Sequence, residues 1–142
     1  MNYNGITFFC NLLTTIPNLF DKGASGIIFL NIVKEAGLDM VQLHGDEDLT
    51  YCEKVKEHVS VVKVFRVGAL VPMMDGFDQV ADYFLFDTDS ALYGGTGQHF
   101  NWEIIKNQTM AKPYFLSGGI GPNDIKGLDR YHHLKKKDLM VF

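Results

Sequence analysis

The stretch Phe84-Leu-Phe-Asp87-Thr-Asp-Ser-Ala-Leu-Tyr-Gly94-Gly-Thr-Gly97 decides the fold of this chain. The run 83–86 is short, apolar and rich in aromatic residues, which is typical of a buried strand. Asp87 ends that run, so we expect its carboxyl group at the carboxyl-terminal edge of a parallel sheet. There it can hold or give a proton near neutrality. The glycines that follow, Gly95 among them, permit positive φ angles and close approach of the backbone to a ligand. The alternative is that Asp87 caps a turn and that the glycines only bend the chain.

The rest of the chain alternates between strand-like and helix-like segments. The predicted strands cover residues 5–9 (ending at Cys10-Asn11), 40–44, 59–67, 83–87 and 113–116. The predicted helices cover 12–20, 27–36 (closed by Gly37 after a break at 23–26), 49–58, 102–108 and 122–131, with a weak helix or loop over 71–81. Because the strands are continuous apolar runs rather than in-and-out alternations, the pattern predicts an α/β fold with a parallel sheet buried on both faces.

Polar residues stand where the predicted strands end, namely His44, Arg66, Asp87 and Ser117. In parallel α/β proteins the ligand binds at that edge of the sheet. His44 would share one strand face with Gln42, and it is either a hydrogen-bonding group of the site or a core histidine. Arg66 is either a cation of the site or a surface residue with a buried stem.

The sequence Ser117-Gly-Gly-Ile-Gly-Pro122 predicts a phosphate site made by the backbone. Glycines expose N–H groups, and the start of the following helix adds partial positive charge. Gly118 and Gly119 are the expected contacts, with Arg66 as the neighbouring cation. The alternative is a turn with only a structural role.

Composition narrows the classes of function. The chain has 142 residues, 46% of them hydrophobic, and a net charge of −4, which predicts a single domain over 1–142 and argues against a nucleic-acid or anionic-membrane partner. The basic run 135–137 is interpreted as a solvated helix end or loop. Cys10 and Cys52 are expected to be free thiols in a reducing cytosol, and no metal site is expected at His132-His133. The N-terminal stretch does not have the pattern of a secretory signal, and no run approaches about 20 apolar residues, so we expect a cytoplasmic location.

Three motifs in order resemble the phosphoribosylanthranilate isomerase family. They are Val41-Gln-Leu-His-Gly-Asp-Glu47, then Phe86-Asp-Thr88 with Gly94-Gly-Thr-Gly97 and Phe100-Asn-Trp102, then Leu116-Ser-Gly-Gly-Ile120 with Pro122-Asn123. The resemblance is clearest over 32–131. It implies a parallel (β/α) barrel and an Amadori rearrangement of N-(5′-phosphoribosyl)anthranilate in tryptophan biosynthesis, without a cofactor.

The resemblance also implies roles for single residues. Asp87 matches the family's general acid, and Gly118 and Gly119 match part of its phosphate site. His44, Arg66 and Gly95 are further candidates for substrate binding. The family's base is a cysteine at the end of the first strand in a Lys-x-Cys-Gly setting, whereas Cys10 is followed by asparagine.

Other features depart from the family pattern. The family's Ser-Pro-Arg segment and its last-strand Asp-Val-Ser-Ser-Gly motif are not found, and five or six strand candidates stand where a closed barrel has eight. We therefore expect an incomplete barrel that turns over slowly or not at all by itself. The alternative function is a non-catalytic fragment of the family that has lost turnover or needs a partner chain, with self-association through an open sheet edge. Another phosphate-binding barrel, of the indole-glycerol-phosphate synthase type, would need a strand-end lysine that we do not find.

Overall fold

The computed structural model describes residues 10–12, 24–89, 101–106 and 108–134. The strands are β1 Cys10–Leu12, β2 Met40–Leu43, β3 Ser60–Val67, β4 Tyr83–Thr88 and β5 Tyr114–Leu116. The helices are α1 Ala24–Glu35, α2 Leu49–Lys56, α3 Phe77–Val80, α4 Glu103–Lys106 and α5 Ile125–Leu134, the last preceded by a 3₁₀ turn at Pro122–Asp124.

The described strands all run in one direction. β1 pairs in parallel with β2, β2 with β3, and β4 with β5. β3 and β4 also run the same way, because the Asp82 N–H donates to the Val61 carbonyl at 2.9 Å and the Asp89 N–H donates to the Val67 carbonyl at 3.0 Å. The predicted α/β fold with a parallel sheet is confirmed.

The chain divides into two compact units. The first comprises Met1–Lys63 and Gly76–Asp82, and the second comprises Val64–Asp75 and Tyr83–Phe142. Strand order is β1-β2-β3 in the first unit and β3-β4-β5 in the second, because β3 contributes one half to each. The single domain over 1–142 stays a prediction.

Helix ends in the first unit follow from local sequence. Gly37, with φ +60°, ends α1, and the Leu38 N–H donates to the Val33 carbonyl at 3.0 Å. This geometry satisfies the last carbonyls of a helix and favours glycine, so the predicted role of Gly37 is confirmed. At the start of α2 the Asp48 carboxylate accepts a hydrogen bond from the Tyr51 N–H at 2.8 Å, which caps the helix.

An aromatic cluster forms the core of the second unit. The Phe65 ring lies 5.1 Å from Phe84 and 5.8 Å from Phe86, and Phe86 lies 5.5 Å from Tyr114. The Tyr114 and Tyr131 hydroxyls are 3.0 Å apart, which fastens α5 to this face of the sheet. Because strand side chains alternate, Phe84 and Phe86 lie on one face of β4 and Asp87 lies on the other.

Several predicted boundaries were wrong. α1 begins at Ala24, so no break lies at 24–26, and Leu12 belongs to a strand rather than to a helix. The segment 71–81, predicted as a weak helix or loop, is a loop as far as Gly76, which has φ +81°, and then forms the short helix Phe77–Val80. The predicted strand at 5–9 and most of the predicted helix at 12–20 lie outside the described residues.

Candidate active site

The carboxyl ends of β4 and β5 meet in the second unit. The Ser117 N–H donates to the Phe86 carbonyl at 2.8 Å, which holds the turn after β5 against the end of β4. The Thr88 N–H donates to Asp87 Oδ1 at 2.9 Å, and Thr88 Oγ1 donates to the Gly118 carbonyl at 3.4 Å. Asp87 is half-buried. The structure therefore brings together the predicted acid and the predicted glycine turn.

Position 118 has room for glycine alone. Gly118 has φ +87°, and a Cβ there would lie 2.6 Å from Asp87 Oδ1 and 2.7 Å from the Thr88 nitrogen. Gly119 also has a positive φ, +67°. Both glycines therefore lie in the left-handed region that favours glycine, and they turn the chain sharply after β5.

The helix start beyond the glycines is partly satisfied by its own residues. The Gly121 N–H donates to the Asp124 carboxylate at 2.8 Å, and the Asp124 N–H donates to the Gly121 carbonyl at 3.0 Å. Asp124 directly precedes α5, so its carboxylate lies at the N-terminal end of that helix. This is the end that was expected to attract an anion. One N–H group that was expected to face an anion therefore already has a carboxylate partner within the chain.

His44 belongs to the first unit and immediately follows β2. Its Nδ1 lies 3.5 Å from Gln42 Nε2, so the two side chains share a strand face as predicted. Arg66 was predicted to end its strand, but Val67 follows it within β3, and its side chain is exposed. The gathering of all four polar strand-end residues at one edge stays a prediction.

Cys10 does not end a strand, so that prediction was wrong. β1 continues to Leu12, and Cys10 pairs in register with Val41, inside β2, whereas Leu12 pairs with Leu43. His44 comes after Leu43, so the register places Cys10 away from the carboxyl edge that holds His44. Its position in β1 does not fit the family's catalytic base.

Cys52 is the other cysteine, and it is fully buried in α2. Burial is the largest effect on this thiol and raises its pKa to about 11. A thiol of that kind stays protonated near neutrality and is neither a base nor a nucleophile.

Two predicted features fall outside the part of the chain that the structure describes. Gly95, the rest of the glycine loop at 94–97 and the lysine run 135–137 lie outside the described residues. Within the described ranges no group of three or more His, Cys, Asp or Glu side chains could hold a metal ion. The described helices include none that is long and apolar enough to cross a membrane.

One cluster was missed from the sequence. Lys63 is buried in β3, and its Nζ lies 2.7 Å from Glu47 Oε2 and 2.7 Å from the Gly45 carbonyl. A lone lysine inside the apolar run 61–65, together with an acidic loop after a neighbouring strand, was the available signal.

Comparison with known proteins identifies the family of this chain. Residues 28–139 match the family model described as N-(5′-phosphoribosyl)anthranilate (PRA) isomerase. The chain belongs to the PRA isomerase family. The matched region includes His44, Arg66, Asp87, Gly118 and Gly119 and excludes Cys10, so the resemblance drawn over 32–131 is confirmed.

Curated PRA isomerases share moderate identity with the chain. The enzyme of Phocaeicola vulgatus is 38% identical over 103 residues, which cover 70% of this chain and 50% of that protein. The enzyme of Aquifex aeolicus is 37% identical over 99 residues, which cover 69% of this chain and 48% of that protein. The chain thus spans about half the length of these relatives.

Solved structures of PRA isomerases share the fold. The crystal structure from Thermotoga maritima has a TM-score of 0.62 at 26% identity and covers 80% of this chain and 54% of that one. A further PRA isomerase structure, with a TM-score of 0.53 at 22% identity, covers 80% of this chain and 52% of that one. That protein was crystallised with reduced 1-(o-carboxyphenylamino)-1-deoxyribulose 5-phosphate.

Proposed function

We propose that this chain acts as a PRA isomerase of tryptophan biosynthesis. The reaction is the Amadori rearrangement of N-(5′-phosphoribosyl)anthranilate to 1-(2-carboxyphenylamino)-1-deoxyribulose 5-phosphate. The observation that carries the proposal is the close approach of Gly118 to the Asp87 carboxylate at the ends of β4 and β5. One substrate could then meet an acid and a phosphate-binding turn at the same place.

Asp87 is the proposed general acid. Its protonated carboxyl group gives a proton to the ribose ring oxygen, the bond from that oxygen to C1′ breaks, and a Schiff base forms with the anthranilate nitrogen. A base then removes the C2′ proton, and the resulting enamine becomes the ketone. The hydrogen bond from the Thr88 N–H to Asp87 Oδ1 supports this role because it fixes the orientation of the carboxyl group.

Gly118 and Gly119 are the proposed phosphate contacts. Glycines at these two positions let the backbone approach an anion closely, and donation by backbone N–H groups needs no net positive charge, which the chain lacks. Arg66, His44 and Gly95 stay proposals as further substrate contacts. The reaction takes no cofactor in this proposal, because C1′ and C2′ exchange oxidation levels within one sugar.

The test is turnover of N-(5′-phosphoribosyl)anthranilate, followed through the loss of anthranilate fluorescence. We expect at most a slow rate above background for the native chain and a fall to background for Asp87→Asn, because a positioned acid usually contributes about 10²–10⁴-fold. Equal rates for the two proteins would rule out Asp87 as the acid. A native rate at background with the reduced product still bound would favour the non-catalytic alternative.

Self-association through an open sheet edge also stays a prediction. An unpaired strand edge offers backbone donors and acceptors to a second chain. Light scattering of the purified chain at two concentrations would check it, and a monomer mass at both would contradict it.

A further inference from the structure

Lys63 is a buried charge that the proposed chemistry does not use. It is 3% exposed, and its ammonium group contacts Glu47 Oε2 and the Gly45 carbonyl and lies 5.7 Å from the centre of the Phe77 ring. Taking two charges out of water is unfavourable, and an apolar pair of similar size is often as stable. The contacts of this pair point to a role in fixing geometry.

Both backbone polar groups of Gly45 are held by the ion pair. The Gly45 N–H donates to the Glu47 carboxylate, at 2.9 Å to Oε2 and 3.2 Å to Oε1, and the Gly45 carbonyl accepts from Lys63 at 2.7 Å. The first of these groups belongs to the peptide bond that joins His44 to Gly45. The orientation of the chain directly after His44 is therefore set by two charged side chains.

The ion pair and the imidazole lie on opposite faces of the sheet. Leu43 pairs in register with Lys63, and the Lys63 side chain reaches Glu47 and Phe77 on the helix side. Alternation along β2 puts His44 on the other face, together with Gln42. The pair can thus fix the backbone from one side while the imidazole is presented on the other.

We propose that Lys63 and Glu47 are positioning residues for His44. The pair holds the His44–Gly45 peptide so that the imidazole keeps one orientation toward the substrate, an inference that rests on the proposed function for its ligand. Lys63 acts through its hydrogen bonds to Glu47 and Gly45 and does not itself touch the substrate.

The test compares two double variants of the full chain. Glu47→Leu with Lys63→Met removes both charges at similar volume, which favours retention of the fold. Glu103→Leu with Lys106→Met removes a matched but exposed ion pair, 2.9 Å apart, and serves as the control. The measurements are hydrogen exchange of the Gly45 amide, the NMR signals of the His44 ring, and binding of the reduced product and of inorganic phosphate.

Removal of the buried pair should loosen only the turn after β2. We expect the Gly45 amide to exchange about 100-fold faster while the strand amide of Val62 keeps its protection. The His44 ring signals should shift, and affinity for the reduced product should fall by about tenfold, as expected when a contact group loses its fixed position. Affinity for inorganic phosphate should not change, and the control variant should behave as the native chain.

A conservative variant separates positioning from folding. Glu47→Gln keeps an oxygen acceptor for the Gly45 N–H but leaves the Lys63 charge without its anion, so the fold should lose stability while Gly45 exchange, measured relative to that of Val62, stays within about tenfold of native. Unchanged Gly45 exchange and His44 signals in the charge-free double variant would overturn the inference. Shifted signals with unchanged affinity for the reduced product would also overturn it. If the native chain does not bind the reduced product, the proposed function fails. The Gly45 exchange and the His44 ring signals would still show whether Lys63 and Glu47 fix the turn after β2.

Discussion

A Cβ at position 118 would lie 2.6 Å from Oδ1 of Asp87, so no residue with a side chain fits at position 118 without displacing the carboxylate. The Ser117-Gly118-Gly119 turn follows β5, and Asp87 lies in the last part of β4, so the proximity depends on the parallel pairing of these two strands. One packing contact therefore joins the predicted acid to the predicted phosphate turn.

Gly118→Ala should lower stability and disturb Asp87. Position 118 has φ +87°, so alanine there is strained, and its methyl group would push the Asp87 carboxylate or the Thr88 backbone aside. We expect a loss of about 1–3 kcal/mol in the free energy of unfolding, measured by urea denaturation.

Gly121→Ala is the matched control. Gly121 has φ −132°, and a Cβ there would have Asp124 Oδ2 as its nearest neighbour at 3.8 Å. This variant should be within about 0.5 kcal/mol of the native chain. Equal stabilities for the two alanine variants would show that the contact between Gly118 and Asp87 is not tight.

Removing one partner of the buried ion pair should be strongly destabilising. Lys63→Met leaves Glu47, whose side chain is only 11% exposed, without its cation. We expect a loss of about 3–5 kcal/mol, against about 1 kcal/mol or less for the double variant that removes both charges. Urea denaturation of the single and double variants measures the difference. Equal losses in the two proteins would mean that Lys63 stabilises the fold through its stem rather than through its charge.

The thiol of Cys52 should make the fold sensitive to alkaline pH. Burial raises its pKa from the ordinary 9.0 to about 11, so between these values the unfolded chain ionises and the folded chain does not. The stabilisation is complete below pH 9 and is lost as pH rises toward 11, by up to about 1.4 kcal/mol per pH unit. Burial also raises the pKa of Tyr51 and of Tyr131, which adds to the effect at the upper end.

To isolate the effect of the Cys52 thiol, the other cysteine, Cys10, is replaced first. In a Cys10→Ser background, the free energy of unfolding should fall less steeply between pH 9 and 10 after Cys52→Ala. The same background protein should react with a thiol reagent at pH 8 only when it is unfolded. Rapid labelling of the folded protein would contradict the burial of Cys52.

Much of the fold could be predicted from the sequence because its strands are continuous apolar runs. Residues 40–43, 60–67 and 83–87 are short and rich in β-branched and aromatic residues, which favours strands of a buried sheet, and glycine after an apolar helical run favours the positive φ conformation that ends a helix. The proximity of Asp87 and Gly118 could be predicted for the same reason, since the ends of adjacent parallel strands share an edge.

The remaining features depend on contacts between distant segments. The environment of Lys63 is set by Glu47, in the loop after β2, and by Phe77 in α3, so no local pattern shows that its charge is buried. The position of Cys10 depends on the register of β1 against β2, which an apolar run does not determine. The start of α1 at Ala24 was missed because a glycine within the first turn was interpreted as a break.

The most direct test of the central claim, that Asp87 and the Gly118-Gly119 turn form one ligand site, is an NMR titration of amide signals. The ligands are inorganic phosphate and reduced 1-(o-carboxyphenylamino)-1-deoxyribulose 5-phosphate. We predict that phosphate shifts mainly the amides of Gly118 and Gly119, and that the reduced product shifts these and also the amides of Asp87 and Thr88. Largest shifts at residues 135–137 with either ligand, and none at Gly118, would contradict the account.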